Sequence, residues 1–193
     1  MRFNTKLLHG NKMGDANTGA TLTPVYQSSA FYQPSAEQHE KLFHNKATGF
    51  SYTRINNPTI FAFEERMTTL EGGLASVACA SGMAAITNAL LNIVTCGQEI
   101  VASTSLYGGS IDVFHDFEAF GIKTVFVDIS DVNAVEAAIN ENTRVIFAET
   151  IGNPKLDVVD IEALAELAHQ HNLPLVMDNT VATAYLVKPI EKG

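Results

Sequence analysis

From Ala75 to Asp178 the chain alternates short apolar runs with amphipathic segments of helix length, and no other feature narrows its fold as much. Runs this short and this apolar belong in a sheet covered on both faces, and helix-length links between them let successive strands run parallel. The pattern predicts an α/β fold with a mostly parallel sheet and helices on both faces. Strands are expected near 75–80, 99–103, 123–127, 144–149 and 174–178, with helices near 82–94, 109–120, 132–140 and 161–171. The last two helices open after the candidate caps Asp131 and Asp160. A further helix is expected from Thr59 to Glu71, because Asn57 can cap it, Pro58 suits its first turn and Gly72 can stop it. The first fifty or so residues show little periodicity and several turn positions, as in GDANTGATLTPVYQSS, and read as an extended arm. The expected division is an arm at 1–58 and an α/β domain at 59–193.

The totals exclude several functions. With 193 residues, 46% hydrophobic and 17% charged, the chain is of ordinary globular composition, enough for one domain or one plus a fragment of another. A net charge of −9 with no basic run argues against nucleic acid or an anionic membrane as partner. Cys79 and Cys96 lack C-x-x-C spacing and read as small core residues in a reducing compartment. The six histidines offer no metal spacing either, so no metal is expected. The start, MRFNTKLLHG, has no apolar core of signal-peptide length, and no apolar stretch is long enough to cross a bilayer. A cytoplasmic protein is the expectation.

In open α/β sheets ligands bind beyond the carboxyl ends of the strands, where several loops converge. Ser81-Gly82-Met83, Ser105 to Gly109, Glu149 to Pro154 and Asp178-Asn179-Thr180 all follow predicted strands and so gather at that edge. In ACASGMAAITNALL the turn into the helix at Ser81, Gly82 and Met83 aims backbone N–H groups and the positive end of the helix dipole at one spot, a natural seat for phosphate. Cap geometry alone also explains Ser-Gly at such a turn. The G-x-G-x-x-G and G-x-x-x-x-G-K-[ST] patterns are absent, which disfavours a dinucleotide or a nucleoside triphosphate. Tyr107 in SLYGGS is flanked by glycines that let backbone approach a flat ligand; a core tyrosine at a helix entrance is the plainer alternative. Glu149 and Asn153 lie in ETIGNPK, where Gly152 and Pro154 also read as simple turn chemistry. Asp178 ends the run Leu175-Val176-Met177, and a carboxylate there persists if a cation meets it or if it caps the following turn. Pyridoxal 5'-phosphate combines both partners, a protonated ring nitrogen for Asp178 and a phosphate for Ser81 to Met83.

Six ordered motifs carry a resemblance over almost the whole chain: YTRINNPT at 52–59, LEGG at 70–73, ASGMAA at 80–85, SLYGGS at 105–110, ETIGNP at 149–154 and DNT at 178–180. Together they resemble the Cys/Met-metabolism family of pyridoxal-phosphate enzymes. ETIGNPKLDVVDIEALAELAH is more similar to the O-acetylhomoserine sulfhydrylase subgroup than to the cystathionine synthases and lyases. The resemblance implies an aspartate-aminotransferase-like (fold type I) cofactor domain. It implies that Asp178 pairs with the pyridine nitrogen, each pKa unit gained there being worth ~1.4 kcal/mol of preference for the protonated ring. It assigns the phosphate to Ser81, Gly82 and Met83, places Thr180 near the ring, stacks Tyr107 on the cofactor with a share in proton transfer to the leaving group, and sets Asn153 near the ring hydroxyl or the substrate. Tyr52 and Arg54 would reach the phosphate of a neighbouring subunit, Arg matching its geometry with two parallel donors.

By the same resemblance the expected reaction is γ-replacement on O-acetyl-L-homoserine with sulfide or a thiol, giving homocysteine or methionine and acetate. Cystathionine γ-synthase or methionine γ-lyase activity is the alternative within the family. The assembly implied is a homotetramer built from dimers that share active sites. The resemblance puts the Schiff-base lysine in a Ser-x-Thr-Lys motif beyond Gly193, and Lys188 and Lys192 in LVKPIEKG precede it. The 193 residues are thus expected to be the arm and most of the cofactor domain of a longer enzyme, incomplete at its C-terminal end and inactive alone, or else a non-catalytic fragment or subunit.

Overall fold

A computed structural model describes residues 1–10 and 14–193. They form two compact units, Met1–Ala78 and Cys79–Gly193. The boundary falls beyond the expected one because the arm is tied to the start of the helix that follows it. In the first unit α1 (Phe3–His9) packs against α3 (Pro58–Glu71), and α2 (Ala36–Phe43) stands between them in the chain. α1 and α2 lie where an element-free arm was expected; Ser35 caps α2 by accepting the Gln38 N–H. At the start of α3 the buried Asn57 side chain accepts the Thr59 N–H at 2.8 Å and donates to the Tyr26 carbonyl at 3.0 Å. Tyr26 N–H returns a bond to Thr59 Oγ1 at 2.8 Å. Residues 29–31 and 51–53 pair around the antiparallel bridge Ala30–Tyr52. Gly72 ends α3 in the left-handed conformation, φ 78°, as its position predicts.

The second unit opens with α4 (Gly82–Leu91) and carries a four-stranded parallel sheet in the order β2-β1-β3-β4. The strands are β1 (Glu99–Ser103), β2 (Lys123–Val127), β3 (Thr143–Glu149) and β4 (Leu175–Asp178). Between them run α5 (Gly108–Asp116), α6 (Val132–Ala138) and α7 (Ile161–Gln170), and α8 (Thr183–Leu186) follows β4. Asp131 and Asp160 cap α6 and α7 as expected. The expected helix at 109–120 tightens after Asp116 into a 3-10 turn, Phe117–Phe120.

Strand periodicity sorts the core into two layers. Ile100, Ala102, Val145, Phe147 and Val176 pack with Ile86 and Leu90 of α4 and Phe114 of α5. Val101, Ile146, Ala148 and Met177 pack on the opposite side with Val135 of α6 and Leu164 and Ala168 of α7. Helices therefore cover both faces, as the continuous apolar runs require.

Two expectations are corrected. Residues 75–80 form no strand: no described segment pairs with them, and Val77 is 84% exposed. Cys79 and Cys96 are free and exposed instead of buried, Cys79 lying in that unpaired stretch and Cys96 in the turn before β1. No helix of the described residues is long and apolar enough to cross a membrane.

Candidate active site

Asp178, the last residue of β4, is half-buried, and β4 pairs with β3 alone among the described residues. Its Oδ1 accepts the Thr180 N–H at 2.9 Å and the Thr180 hydroxyl at 2.5 Å. The turn-capping alternative is thus realised with one oxygen. Oδ2 has no hydrogen-bond partner among the described residues and stays free for a cation.

Asp178 shares a sheet face with Val176, two residues before it, and so with α4 and α5. α4 packs on that face and leads through residues 92–98 into the start of β1, so its own start faces the carboxyl edge of the strands. The mouth of α4 and the Asp178 carboxylate therefore occupy one side of one edge. At that mouth Ser81 Oγ accepts the Ala84 N–H at 3.1 Å and the Ser81 carbonyl takes Ala85, which leaves the Gly82 and Met83 amides without an acceptor among the described residues. A Cβ added at Gly82 would meet nothing within 4 Å, so the start of α4 is open on that side.

Tyr107 stands at the N-terminus of α5 and is 51% exposed, against the core-tyrosine alternative. Its two glycines differ in use. Gly108 faces open space, whereas a Cβ at Gly109 would come within 2.6 Å of Tyr107 Cε1, so the ring itself lies folded against Gly109. The Tyr107 N–H is held by Glu149 Oε1 at 2.7 Å. Glu149 is buried, is the register partner of Asp178, and also takes the backbone N–H of Asn153. Burial lifts its carboxyl above the usual range, the Tyr107 amide opposes this, and the Asp178 charge reinforces it. One carboxylate thus joins the loops bearing Tyr107 and Asn153 to the strand beside Asp178. The sequence reading placed Glu149 at this edge without giving it a role, since nothing in ETIGNPK says which way the side chain turns.

Tyr52 and Arg54 belong to the first unit, both exposed, with the Arg54 guanidinium 5.4 Å from the Tyr52 ring centroid. Lys188 and Lys192 are engaged elsewhere, Lys188 with Glu191 and Lys192 with Glu162, each at 2.7 Å.

An open parallel sheet that gathers a carboxylate, free helix-start amides and an exposed aromatic ring on one side of its carboxyl edge defines the cofactor domain of an α/β enzyme. Residues 4–193 match the family described as Cys/Met metabolism PLP-dependent enzyme, and the chain belongs to that family. It is 45% identical over 190 residues to O-acetyl-L-homoserine sulfhydrylase of Leptospira meyeri, covering 98% of this chain and 43% of the relative. It is 39% identical over 192 residues to L-methionine gamma-lyase of Pseudomonas putida, covering 99% and 48%. A Campylobacter jejuni protein described as an O-acetylhomoserine (thiol)-lyase, its structure carrying N'-pyridoxyl-lysine-5'-monophosphate, superposes with a TM-score of 0.94 at 34% identity, over 100% of this chain and 48% of that one. The fold is that of the type I pyridoxal-phosphate enzymes. The chain spans a little under half the length of the relatives it matches.

The residues present fit the cofactor. Unused amides stand where a phosphate dianion is stabilised, and a carboxylate oxygen is free on the same side of the sheet for a ring cation.

Proposed function

We propose that this chain is the cofactor-binding part of an enzyme that replaces the acetate of O-acetyl-L-homoserine with sulfide or a thiol, giving homocysteine or methionine. The observation that carries the reading is its 45% identity to O-acetyl-L-homoserine sulfhydrylase over almost its whole length. Bound pyridoxal phosphate would supply an electron sink for the carbanion formed at the substrate Cα.

In this reading each residue has a physical task. The Gly82 and Met83 amides, with the Ser81 turn that aims them, hold the phosphate. Asp178 Oδ2 keeps a proton on the ring nitrogen, while Thr180 fixes the other carboxylate oxygen so that Oδ2 cannot rotate away. Tyr107 lies on the ring face and moves a proton toward the departing acetate oxygen. Asn153 donates toward the ring hydroxyl or the substrate. Tyr52 and Arg54 reach the phosphate of a neighbouring subunit, which requires at least a dimer with shared sites; by the family resemblance the assembly is a tetramer built from such dimers.

A second reading, γ-elimination, draws on the 39% identity to L-methionine gamma-lyase. The full-length protein is to be incubated with O-acetyl-L-homoserine plus sulfide, plus cysteine, and without nucleophile. Homocysteine and acetate from the first mixture support replacement, and cystathionine from the second would show that cysteine also serves as the thiol; an oxo acid and ammonia from the third, with no homocysteine from the first, overturns it. An intact mass of the native polypeptide near 20.8 kDa would instead favour a non-catalytic piece.

A further inference from the structure

The loop after β3 folds back on itself. Ile151 and Val158 form an antiparallel bridge, Gly152 N–H donates to the Asp157 carbonyl at 2.9 Å, and Val159 N–H to the Thr150 carbonyl at 3.3 Å. This return places Asp157 beside the other loop of the site. Ser105 Oγ, on a residue only 5% exposed, donates to Asp157 Oδ1 at 2.5 Å. Ser105 is itself anchored, its N–H donating at 2.9 Å to Oγ of the buried Ser103.

Gly152 sits against this contact. Its φ is not positive, so no special backbone conformation calls for glycine there. A Cβ would instead collide with both Ser105 Oγ and Asp157 Oδ1. The sequence reading of Gly152 as turn chemistry gives way to a packing reason: glycine leaves room for the hydrogen bond.

The contact spans the two loops that carry Tyr107 and Asn153, two residues from one and four from the other. Glu149 already joins their backbones at the floor of the edge. Farther out, Asn153 to Leu156 are exposed, and beyond the Asn153 N–H the loop has no hydrogen bond to Glu149. We propose that the Ser105–Asp157 hydrogen bond, in the space left by Gly152, is a strut that positions Asn153 relative to Tyr107, making Ser105, Asp157 and Gly152 positioning residues for the proposed cofactor ring. The inference rests on the proposed function of the same edge. None of the three touches the reacting atoms; they act through the two loops.

The test uses the full-length protein loaded with pyridoxal phosphate and the variants Ser105→Ala, Asp157→Ala, the double variant and Asp157→Asn. The readouts are the visible circular dichroism of the bound cofactor, which reports how the ring is held, kcat and KM for O-acetyl-L-homoserine, and Tm. Each alanine variant is expected to lose visible dichroism and about tenfold in kcat, with KM changed less than about threefold, because small misplacements near reacting groups are expensive. The double variant should lose the same factor of about ten, not about a hundred, since both changes remove one interaction. Asp157→Asn, which keeps the acceptor, should restore the dichroism. Multiplying losses, or a fall in Tm with dichroism per bound cofactor unchanged, overturns the strut. A wild-type protein that takes up no pyridoxal phosphate overturns the proposed function and the strut's role with it; normal uptake with unaltered variants overturns the strut alone.

Discussion

The two units are held together by different means. In Cys79–Gly193 two apolar layers sandwich a sheet whose Ile100, Val101, Val145 and Ile146 are fully buried. In Met1–Ala78 Leu70 is the one buried hydrophobic side chain among the described residues, while Tyr32 and Val25 are 90% and 74% exposed. What orders the first unit is a set of directed bonds around Asn57, Tyr26 and Thr59 and the 29–31/51–53 pairing. Burial is non-directional and tolerant, whereas a buried polar node fails as a unit when one member is lost. The comparison therefore predicts that the units respond differently to the same kind of damage.

The largest effect should come from Phe114→Ala. Phe114 is fully buried and meets Phe117, Phe126 and Phe147 with ring centroids 6.2, 6.0 and 5.1 Å away. Its loss should cost about 3–5 kcal/mol, and Leu70→Ala in the first unit about 2 kcal/mol. Hydrogen exchange in rising urea assigns each loss to its unit; equal loss of protection in both after Phe114→Ala would dissolve the distinction.

Asn57→Ala should cost about 1–2 kcal/mol, because it removes a cap and strands the Tyr26 carbonyl. Protection should vanish at residues 26–31 and 51–53 and persist in β1 and β3. The equivalent cap in the second unit, Ser81, is exposed and bonds only Ala84, so Ser81→Ala should cost about 0.5–1 kcal/mol with the sheet unchanged. A larger loss from Ser81 than from Asn57 in the same assay would reverse the ordering.

The smallest expected effect is a pH dependence. Burial lifts Glu149 above its ordinary 4.5, so the folded chain binds that proton more tightly than the unfolded chain. Stability then falls as pH rises from about 4.5 through the raised value, and is lowest once the group is ionised. Glu149→Gln removes the charge and keeps an oxygen for the Tyr107 amide, so the wild-type minus variant difference in unfolding free energy should decline across that window. A flat difference would show that Glu149 is better solvated than its burial implies.

Much of the second unit was legible because period and apolarity act locally: Val101, Ile146 and Phe147 are read as core from their own runs, and Asp131 and Asp160 announce their helices. Residues 75–80 show where that logic stops. Apolarity makes a segment able to pair, but pairing needs a neighbour, which sequence reading does not supply. α2 is hard to read although Ser35 and Gln38 have capping-box spacing, because after Ala36 its next apolar residues come only at Leu42 and Phe43, too few to show a period. At the site, residue types and edge placement were readable for Asp178, Tyr107 and Asn153. The Glu149 and Ser105–Asp157 contacts were not, since they join positions 42 and 52 residues apart.

The sheet's two rims are also unlike. β2 carries a charged Lys123 paired with Glu99, a common guard on an exposed border. β4 bonds to β3 alone among the described residues and offers Leu175, Val176 and Met177 in a row with no charge until Asp178. Its outer amides and carbonyls form an unclaimed seam. A border of this kind is a template for one more strand, so β4 is where a further segment would extend the sheet.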